Sequence, residues 1–329
     1  MDKFRAFRVH SENKQISARL ESIGLDDLSA GEVVVKVGYS DINYKDALAA
    51  TGAGRIMRRF PMVAGIDLAG TVVTSSDPDF GPGDAVVAVG ADLSEDYDGG
   101  YAEFARVRSD ALVPLPASLS TRDAMAIGTA GFTAALALIR MEDNGLGPGQ
   151  GPVLVNGATG GVGSIAIDIF SARGYEVVAL TGKAESADYL RALGATEVLV
   201  RGAFELGKRP LERASYAGGV DNLGGEILSW MCRSIMQDGS VASIGLAADP
   251  AFECSVMPFI LRGINLLGIN SVIMKNARRR QVWSRLGADL KPAHLDAIVT
   301  QEVDLDALAA AFPAYIDGDV TGRTLVRIV

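Results

Sequence analysis

Thiols and imidazoles are scarce in this chain. Its 329 residues include two cysteines, Cys232 and Cys254, and two histidines, His10 and His294. Two thiols cannot make a disulfide framework or a four-cysteine zinc site. Both cysteines are therefore expected as packing residues, and both histidines as surface residues without acidic or metal-ligand company. Long apolar runs are missing as well. Arg262 interrupts the most apolar late stretch, Phe259–Leu267, so no transmembrane helix of roughly eighteen apolar residues is expected. The opening Met1-Asp2-Lys3-Phe4-Arg5 lacks the apolar segment of a signal peptide, which argues for a reducing cytoplasm rather than secretion. Basic charge is in deficit, with 31 Lys and Arg against 40 Asp and Glu, for a net charge of −9. That balance disfavours nucleic acid and anionic membranes as partners.

What the chain does have is apolar mass and glycine. Hydrophobic residues make up 48% of it, enough for large cores, and its length suggests about two domains. In Val153–Gly163 a β-branched apolar run breaks into Gly157, Gly160, Gly161 and Gly163 and then into the apolar stretch Ser164–Phe170. This reads as a buried strand, a tight turn and a packed helix. Such a turn brings backbone N–H groups and a helix N-terminus up to a pyrophosphate. Its spacing is looser than G-x-G-x-x-G, and a plain tight turn is the alternative. The alternation that follows favours the nucleotide reading: strands at Glu176–Leu180, Glu197–Val200, Gly219–Asn222, Ser240–Ile244 and Ile264–Ile269, with helices at Ser186–Leu193 and Glu226–Ile235. Together they predict a doubly wound parallel sheet. An NAD site carries an acid about 20 residues past the turn to hold the ribose 2′-hydroxyl. Here the second strand runs into Thr181, Gly182 and Lys183, a hydroxyl, a glycine and a cation, which suit the 2′-phosphate of NADPH.

The first third differs. Short strands at Glu32–Val37, Gly70–Thr74, Ala85–Val89 and Tyr101–Val107 are separated by turn signals and suggest a partly open β-barrel. A helix-like stretch, Ala124–Ile139, precedes the glycine turn. Late in the chain a helix ends near Leu286, an amphipathic helix spans Leu305–Tyr315, and a strand closes at Thr324–Val329. The expected division is residues 1–122 with 297–329 as one domain and 123–296 as the other.

This order, together with Ser40–Leu48, Arg59–Asp67, Ile127–Ala134, Pro258–Arg262 and Gly322–Val326, resembles the medium-chain dehydrogenase/reductase superfamily. Within it the chain is most similar to the YhdH/AcuI group, the quinone-oxidoreductase-like acryloyl-CoA reductases. The resemblance implies a GroES-like domain plus a Rossmann domain, NADPH as cofactor, and reduction of acryloyl-CoA to propanoyl-CoA. Zinc-dependent relatives place a cysteine and Gly-His-Glu around the metal, where this chain has Asn43 and Gly65-Ile66-Asp67. Isoleucine cannot ligate a metal, so a metal-free reaction is expected. Conjugate hydride addition to an enoyl thioester fits, since it needs only donors for the enolate oxygen and a proton for the α-carbon.

The expected catalytic residues are Tyr44, to contact the cofactor and donate a hydrogen bond or proton, Asn43, to orient the thioester or nicotinamide carbonyl, and Asp46, to orient Tyr44 or relay a proton. For Asp46 a helix cap or an ion pair with Lys45 is the alternative. Asp67 is set aside as a satisfied buried carboxylate. For the cofactor, the resemblance implies Tyr44, Thr159, Gly160, Gly161, Val162, Thr181, Gly182, Lys183, Arg201, Leu246, Ile260 and Ser271. Arg55, Arg58 and Arg59 are candidates for the CoA phosphates, whereas Arg278-Arg279-Arg280 is expected as solvated surface charge. Three stretches depart from the group: the acidic, tryptophan-free Gly90–Gly100 loop, Ala247-Ala248-Asp249-Pro250, and Asn270 in place of Asp. Two other functions stay open, a quinone or enone reductase and a non-catalytic NADPH-binding protein. The strand near Ile264–Ile269 is a candidate sheet edge for a homodimer, as in relatives.

Overall fold

The computed structural model describes residues 3–328. Both faces of β1 (Phe4–Glu12) carry buried apolar side chains, Phe4 and Ala6 on one and Phe7 and Val9 on the other, and it pairs antiparallel with β2 (Gln15–Ile23) across Asn13-Lys14. β3 (Val33–Ile42) leads through Asn43 into helix α1 (Tyr44–Thr51). Then come β4 (Met62–Val63), β5 (Asp67–Ser75), β6 (Ala85–Val89), β7 (Phe104–Val107), β8 (Val113–Pro114) and the long helix α2 (Thr121–Asp143). The alternating part follows: β9 (Val153–Asn156), α3 (Gly161–Ala172), β10 (Val177–Thr181), α4 (Ala187–Ala192), β11 (Glu197–Val200), β12 (Tyr216–Asp221), α5 (Gly225–Ser234), β13 (Ile235–Ser243), α6 (Met257–Arg262) and β14 (Asn265–Gly268). The chain ends in α7 (Asn276–Leu286), α8 (Leu295–Ile298), β15 (Val299–Asp304), α9 (Leu308–Ile316) and β16 (Arg323–Arg327). The last residue of the expected closing strand, Val329, lies outside the described residues.

Two compact units result. The first comprises Met1–Phe132, Ser271–Asp289 and Leu295–Val329, and the second Thr133–Asn270 and Leu290–His294. The expected boundary after residue 122 falls later, because α2 continues past it before the chain changes unit. Ser271 and α7 belong to the first unit rather than the second: the α7 residue Asn276 donates to the Asp110 and Leu112 carbonyls, and Arg279 to Val89.

In the first unit, among the described residues, β15-β16-β3-β5-β6-β8 form one sheet with β7 alongside β3, and β2-β1-β4 form a smaller one. The tail returns as expected: β16 pairs antiparallel with β3, placing Leu325 opposite Asp41 and Thr324 opposite Ile42. The second unit is a parallel sheet in the order β11-β10-β9-β12-β13-β14. The order reverses direction between β9 and β12, the switch point at which such sheets bind ligands. At the turn after β9, a methyl group on Gly163 would lie 2.4 Å from the Gly157 carbonyl oxygen, so helix and turn pack this closely only with glycine there.

Helix α2 is long and apolar enough to span a membrane by composition, unlike anything expected from the sequence. Gly128, at φ 51° and ψ −161°, breaks it into two helices, and 89% of its most apolar window is buried. It is a kinked core helix.

Candidate active site

The first unit gathers its polar side chains where β3 meets α1. Asn43 is the N-cap of α1 and Tyr44 its first residue, with 42% of the Tyr44 surface exposed. The Asp46 carboxylate accepts the backbone N–H of Asn43 and that of Ile66, each at 2.9 Å. It thereby clamps the start of α1 to the segment before β5. Lys45 pairs with Glu95 instead. Asp46, expected in a catalytic role, is thus a fully buried cap that acts by fixing Asn43 and Tyr44. Burial, reinforced by Asp67, pushes its pKa up to about 7 against the pull of those two N–H groups.

Asn43 also turns inward. Its amide nitrogen donates to Asp41 Oδ1 at 2.7 Å and to Asp67 Oδ2 at 2.9 Å, and its amide oxygen accepts from Arg323 at 3.2 Å. A buried amide must satisfy its hydrogens and its oxygen, and this one does so within the protein rather than at a substrate carbonyl. Arg323 also pairs with Asp41 at 2.7 Å and donates to the carbonyls of Met125, Ala126 and Ile42. Burial holds the Asp41 carboxyl well above its usual range in spite of Arg323. Asp67, set aside from sequence, is the hub. It accepts the Thr129 N–H at 2.7 Å, the Thr129 hydroxyl at 2.6 Å and the Gly90 N–H at 3.3 Å, besides Asn43. Gly65-Ile66-Asp67 was the signal that could have marked it. Gly128 makes this possible, since a Cβ there would lie 2.1 Å from Asp41 Oδ2.

In the second unit the expected cofactor residues stand at strand ends and the turn. Thr159, Gly160, Gly161 and Val162 span the end of the turn and the first residues of α3, with Gly160 as N-cap. Thr181 closes β10, and its hydroxyl accepts the Lys183 N–H at 3.0 Å. The Arg201 N–H donates to the Thr181 carbonyl at 2.7 Å, and the Arg201 guanidinium lies 3.4 Å from where a Gly182 side chain would begin. Glycine therefore leaves the space beside that cation free of a side chain, and no carboxylate closes β10. These residues suit a 2′-phosphate by charge. Leu246, 61% exposed, follows β13, and Ser271 follows β14 in the first unit. Ile260 is 72% exposed on α6, and its place in the set rests on the resemblance.

Other expectations change. Arg58 pairs with Asp96 at 2.5 Å, and Arg59 reaches Ser29, Asp96 and Asp98, so the acidic 90–100 loop already neutralises two of the three proposed CoA arginines. Arg55 is exposed. Arg279, expected on the surface, is buried because it donates to the carbonyls of Val89 and Val272. Both histidines do have acidic company: His10 meets Glu21 and His294 meets Asp168, each at 2.9 Å. Cys232 and Cys254 pack in one apolar cluster as expected.

Comparison with known proteins agrees with this geometry. Residues 29–117 match the alcohol dehydrogenase GroES-like domain and residues 161–289 the zinc-binding dehydrogenase domain. The residues of this chain do not fit zinc. The Asn43 amide turns hydrogens toward both carboxylates, Arg323 stands where it would repel a dication, and Ile66 has no donor atom. The chain is 47% identical to the acrylyl-CoA reductase AcuI of Ruegeria pomeroyi over 96% of each chain. It is 45% identical to the putative quinone oxidoreductase YhfP of Bacillus subtilis over 99% of each, and the structure of yhfP with NAD bound superposes with a TM-score of 0.96. The yhdH oxidoreductase of Salmonella enterica in complex with NADP is 44% identical, with a TM-score of 0.95 over 99% of this chain and 100% of that one. The chain belongs to the YhdH/AcuI group of the medium-chain dehydrogenase/reductase superfamily.

Proposed function

We propose that this chain reduces the 2,3-double bond of acryloyl-CoA to propanoyl-CoA with NADPH and without a metal. The observation that carries the cofactor choice is the end of β10, where Gly182 leaves space beside Arg201 and Lys183 follows. Of the two solved relatives named above, one holds NADP and the other NAD, so the preference is argued from these side chains. The substrate class rests on the likeness to AcuI.

When bound, the cofactor supplies a hydride equivalent for the substrate's β-carbon. The chain's own residues do the rest. The N-terminus of α3 and its glycine turn hold the pyrophosphate, while Thr181, Gly182, Lys183 and Arg201 hold the 2′-phosphate. Tyr44, fixed by the Asp46 clamp, offers its phenol to cofactor and thioester, and a donor at the thioester oxygen stabilises the charge that develops there.

A second reading, reduction of a quinone or enone, is favoured by the pairing of Arg58 and Arg59 with the 90–100 loop, which leaves less charge for CoA phosphates. NADPH oxidation followed with acryloyl-CoA, crotonoyl-CoA and a simple quinone decides. Fastest turnover with acryloyl-CoA is expected; a quinone preference selects the second reading, and binding without turnover a silent cofactor-binding protein.

A cytoplasmic homodimer completes the proposal. Among the described residues β14 pairs with β13 alone, and α6 just before it exposes Ile260 and Leu261. Light scattering is expected to return twice the chain mass, and a monomer would remove the dimer from the reading.

A further inference from the structure

The acidic 90–100 loop distinguishes this chain from its group, and its charges have no part in hydride transfer. It starts at the Asp67 hub, where the Gly90 N–H also donates to the Ile66 carbonyl at 2.9 Å. It is firmly built. Leu93 and Ser94 are buried, and the Asp92 carbonyl accepts the N–H groups of Glu95, Asp96 and Tyr97 at 3.0–3.2 Å. Ala91, Asp92 and Ser94 stand in the left-handed region at φ 52°, 63° and 61°. Side-chain-bearing residues hold that conformation only where their surroundings enforce it. The acids that follow are therefore placed rather than loose.

Those acids meet cations beside Tyr44. Glu95 pairs with Lys45, the next residue along, and its carbonyl accepts the Arg58 N–H at 2.9 Å. Asp96 pairs with the Arg58 guanidinium, and its carbonyl accepts Arg59 Nε at 2.7 Å. Asp98 accepts from Ser29 and from the Val63 N–H besides meeting Arg59. These contacts join both arginines to the start of α1, where Tyr44 stands.

The two arginine contacts differ in kind. Arg59 is held by the Ser29 hydroxyl, a backbone carbonyl and the buried Asp98 carboxylate, so it is part of the frame. The Arg58 side chain is 64% exposed, and among the described residues its guanidinium meets only the Asp96 carboxylate, itself 36% exposed. An exposed pair of this kind is weak. The phosphates of a CoA thioester offer a guanidinium forked oxygens and, in the monoester, nearly two charges. A neutral quinone brings no group that competes.

We propose that Asp96 is a specificity-determining residue, which holds Arg58 and yields it to a phosphate of the CoA thioester. This deepens the reading of the protein as an acryloyl-CoA reductase and rests on it. Each thioester that binds exchanges a carboxylate for a phosphate at one guanidinium, and no covalent bond is made or broken in the exchange. Asp96 acts through Arg58 and touches none of the reacting atoms. The phosphate contact is the same before and during hydride transfer, so it moves KM and leaves kcat in place. The loop thereby sets how much the phosphate tail adds to binding, and with it the preference for a CoA ester over a small neutral acceptor.

The test compares full-length wild type with Asp96→Asn, Arg58→Gln and the double variant. Each is assayed with acryloyl-CoA and with acryloyl-pantetheine, which carries the same acyl thioester and no phosphate. Asp96→Asn is expected to lower the KM for acryloyl-CoA roughly threefold to fivefold, the range of an exposed ion pair. Arg58→Gln is expected to raise it roughly fivefold to tenfold, and the double variant to match Arg58→Gln. The values of kcat, the KM for acryloyl-pantetheine and the KM for NADPH are expected to stay within about twofold of wild type. A KM for acryloyl-CoA that Asp96→Asn leaves unmoved or raises overturns the proposal. So does a gain that survives in the double variant, or one that appears equally with acryloyl-pantetheine. In those cases thioester reduction by wild type leaves the acryloyl-CoA reading standing. A wild type inert on both thioesters overturns that reading and this proposal with it.

Discussion

Lys183 and its neighbours show how far single residues can be read. A hydroxyl, a glycine and a cation after the second strand are chemical facts visible in the chain, and the structure sets Arg201, which the resemblance implied, beside Gly182. Lys183→Ala should raise the KM for NADPH roughly tenfold to a hundredfold, the worth of a charge-assisted contact to phosphate. The KM for NADH should move less than about twofold, a change worth well under 1 kcal/mol. Steady-state kinetics with both cofactors checks this, and equal changes would remove Lys183 from the 2′-phosphate site. Asp67 was harder to read. Gly65-Ile66-Asp67 marks its place, but not its role as a hub, because its partners Asn43, Gly90 and Thr129 are brought to it by three separate segments. Asn43 was read with the right neighbourhood and the wrong direction, since only the fold shows which way an amide turns. The histidine pairings with Glu21 and Asp168 escaped for the same reason.

At the scale of elements, apolar β-branched runs were easy to read: Ala85–Val89 and Glu197–Val200 match β6 and β11 to the residue. The β1–β2 hairpin and β15 were not foreseen, because charged and polar residues alternate through them on exposed faces. Helix α1 was foreshadowed only as the alternative role of Asp46, its cap. That cap makes a pH prediction. A carboxyl raised from 3.8 to about 7 in the fold contributes stability that is full at acid pH. That contribution is lost as pH rises to 7, by at most about 4 kcal/mol. Asp46→Asn has no such slope, and its amide leaves one of the Asn43 and Ile66 N–H groups without an acceptor. The variant should therefore fall short of wild type at pH 5 by more than it does at pH 8. Thermal unfolding at both values checks this, and an equal deficit at the two would show that Asp46 is ionised in the fold throughout.

Across the whole molecule, the split into a β-rich unit and a parallel α/β unit followed from changes in period along the chain. The assignment of Ser271–Asp289 to the first unit did not, since a helix carries no mark of the body it packs on. The tail was expected to return to the first unit, but what it brings back was not foreseen. Arg323 comes from the last strand to neutralise Asp41, cap the Met125 and Ala126 carbonyls at the α2 kink and hold the Asn43 amide. Closure of the first unit is thus an electrostatic act as well as a sheet pairing. Arg323→Met keeps much of the side-chain volume and removes the charge, leaving buried carboxyls with no paired cation. The loss should be about 3–5 kcal/mol near neutral pH, the usual cost of stripping one partner from a buried pair. Because the stranded carboxyls can take up protons in acid, the deficit should shrink at pH 5.5 and widen at pH 8, opposite to that of Asp46→Asn. Urea unfolding of wild type and variant at the two pH values measures this, and equal deficits would mean that Arg323 acts through its carbonyl bonds rather than its charge.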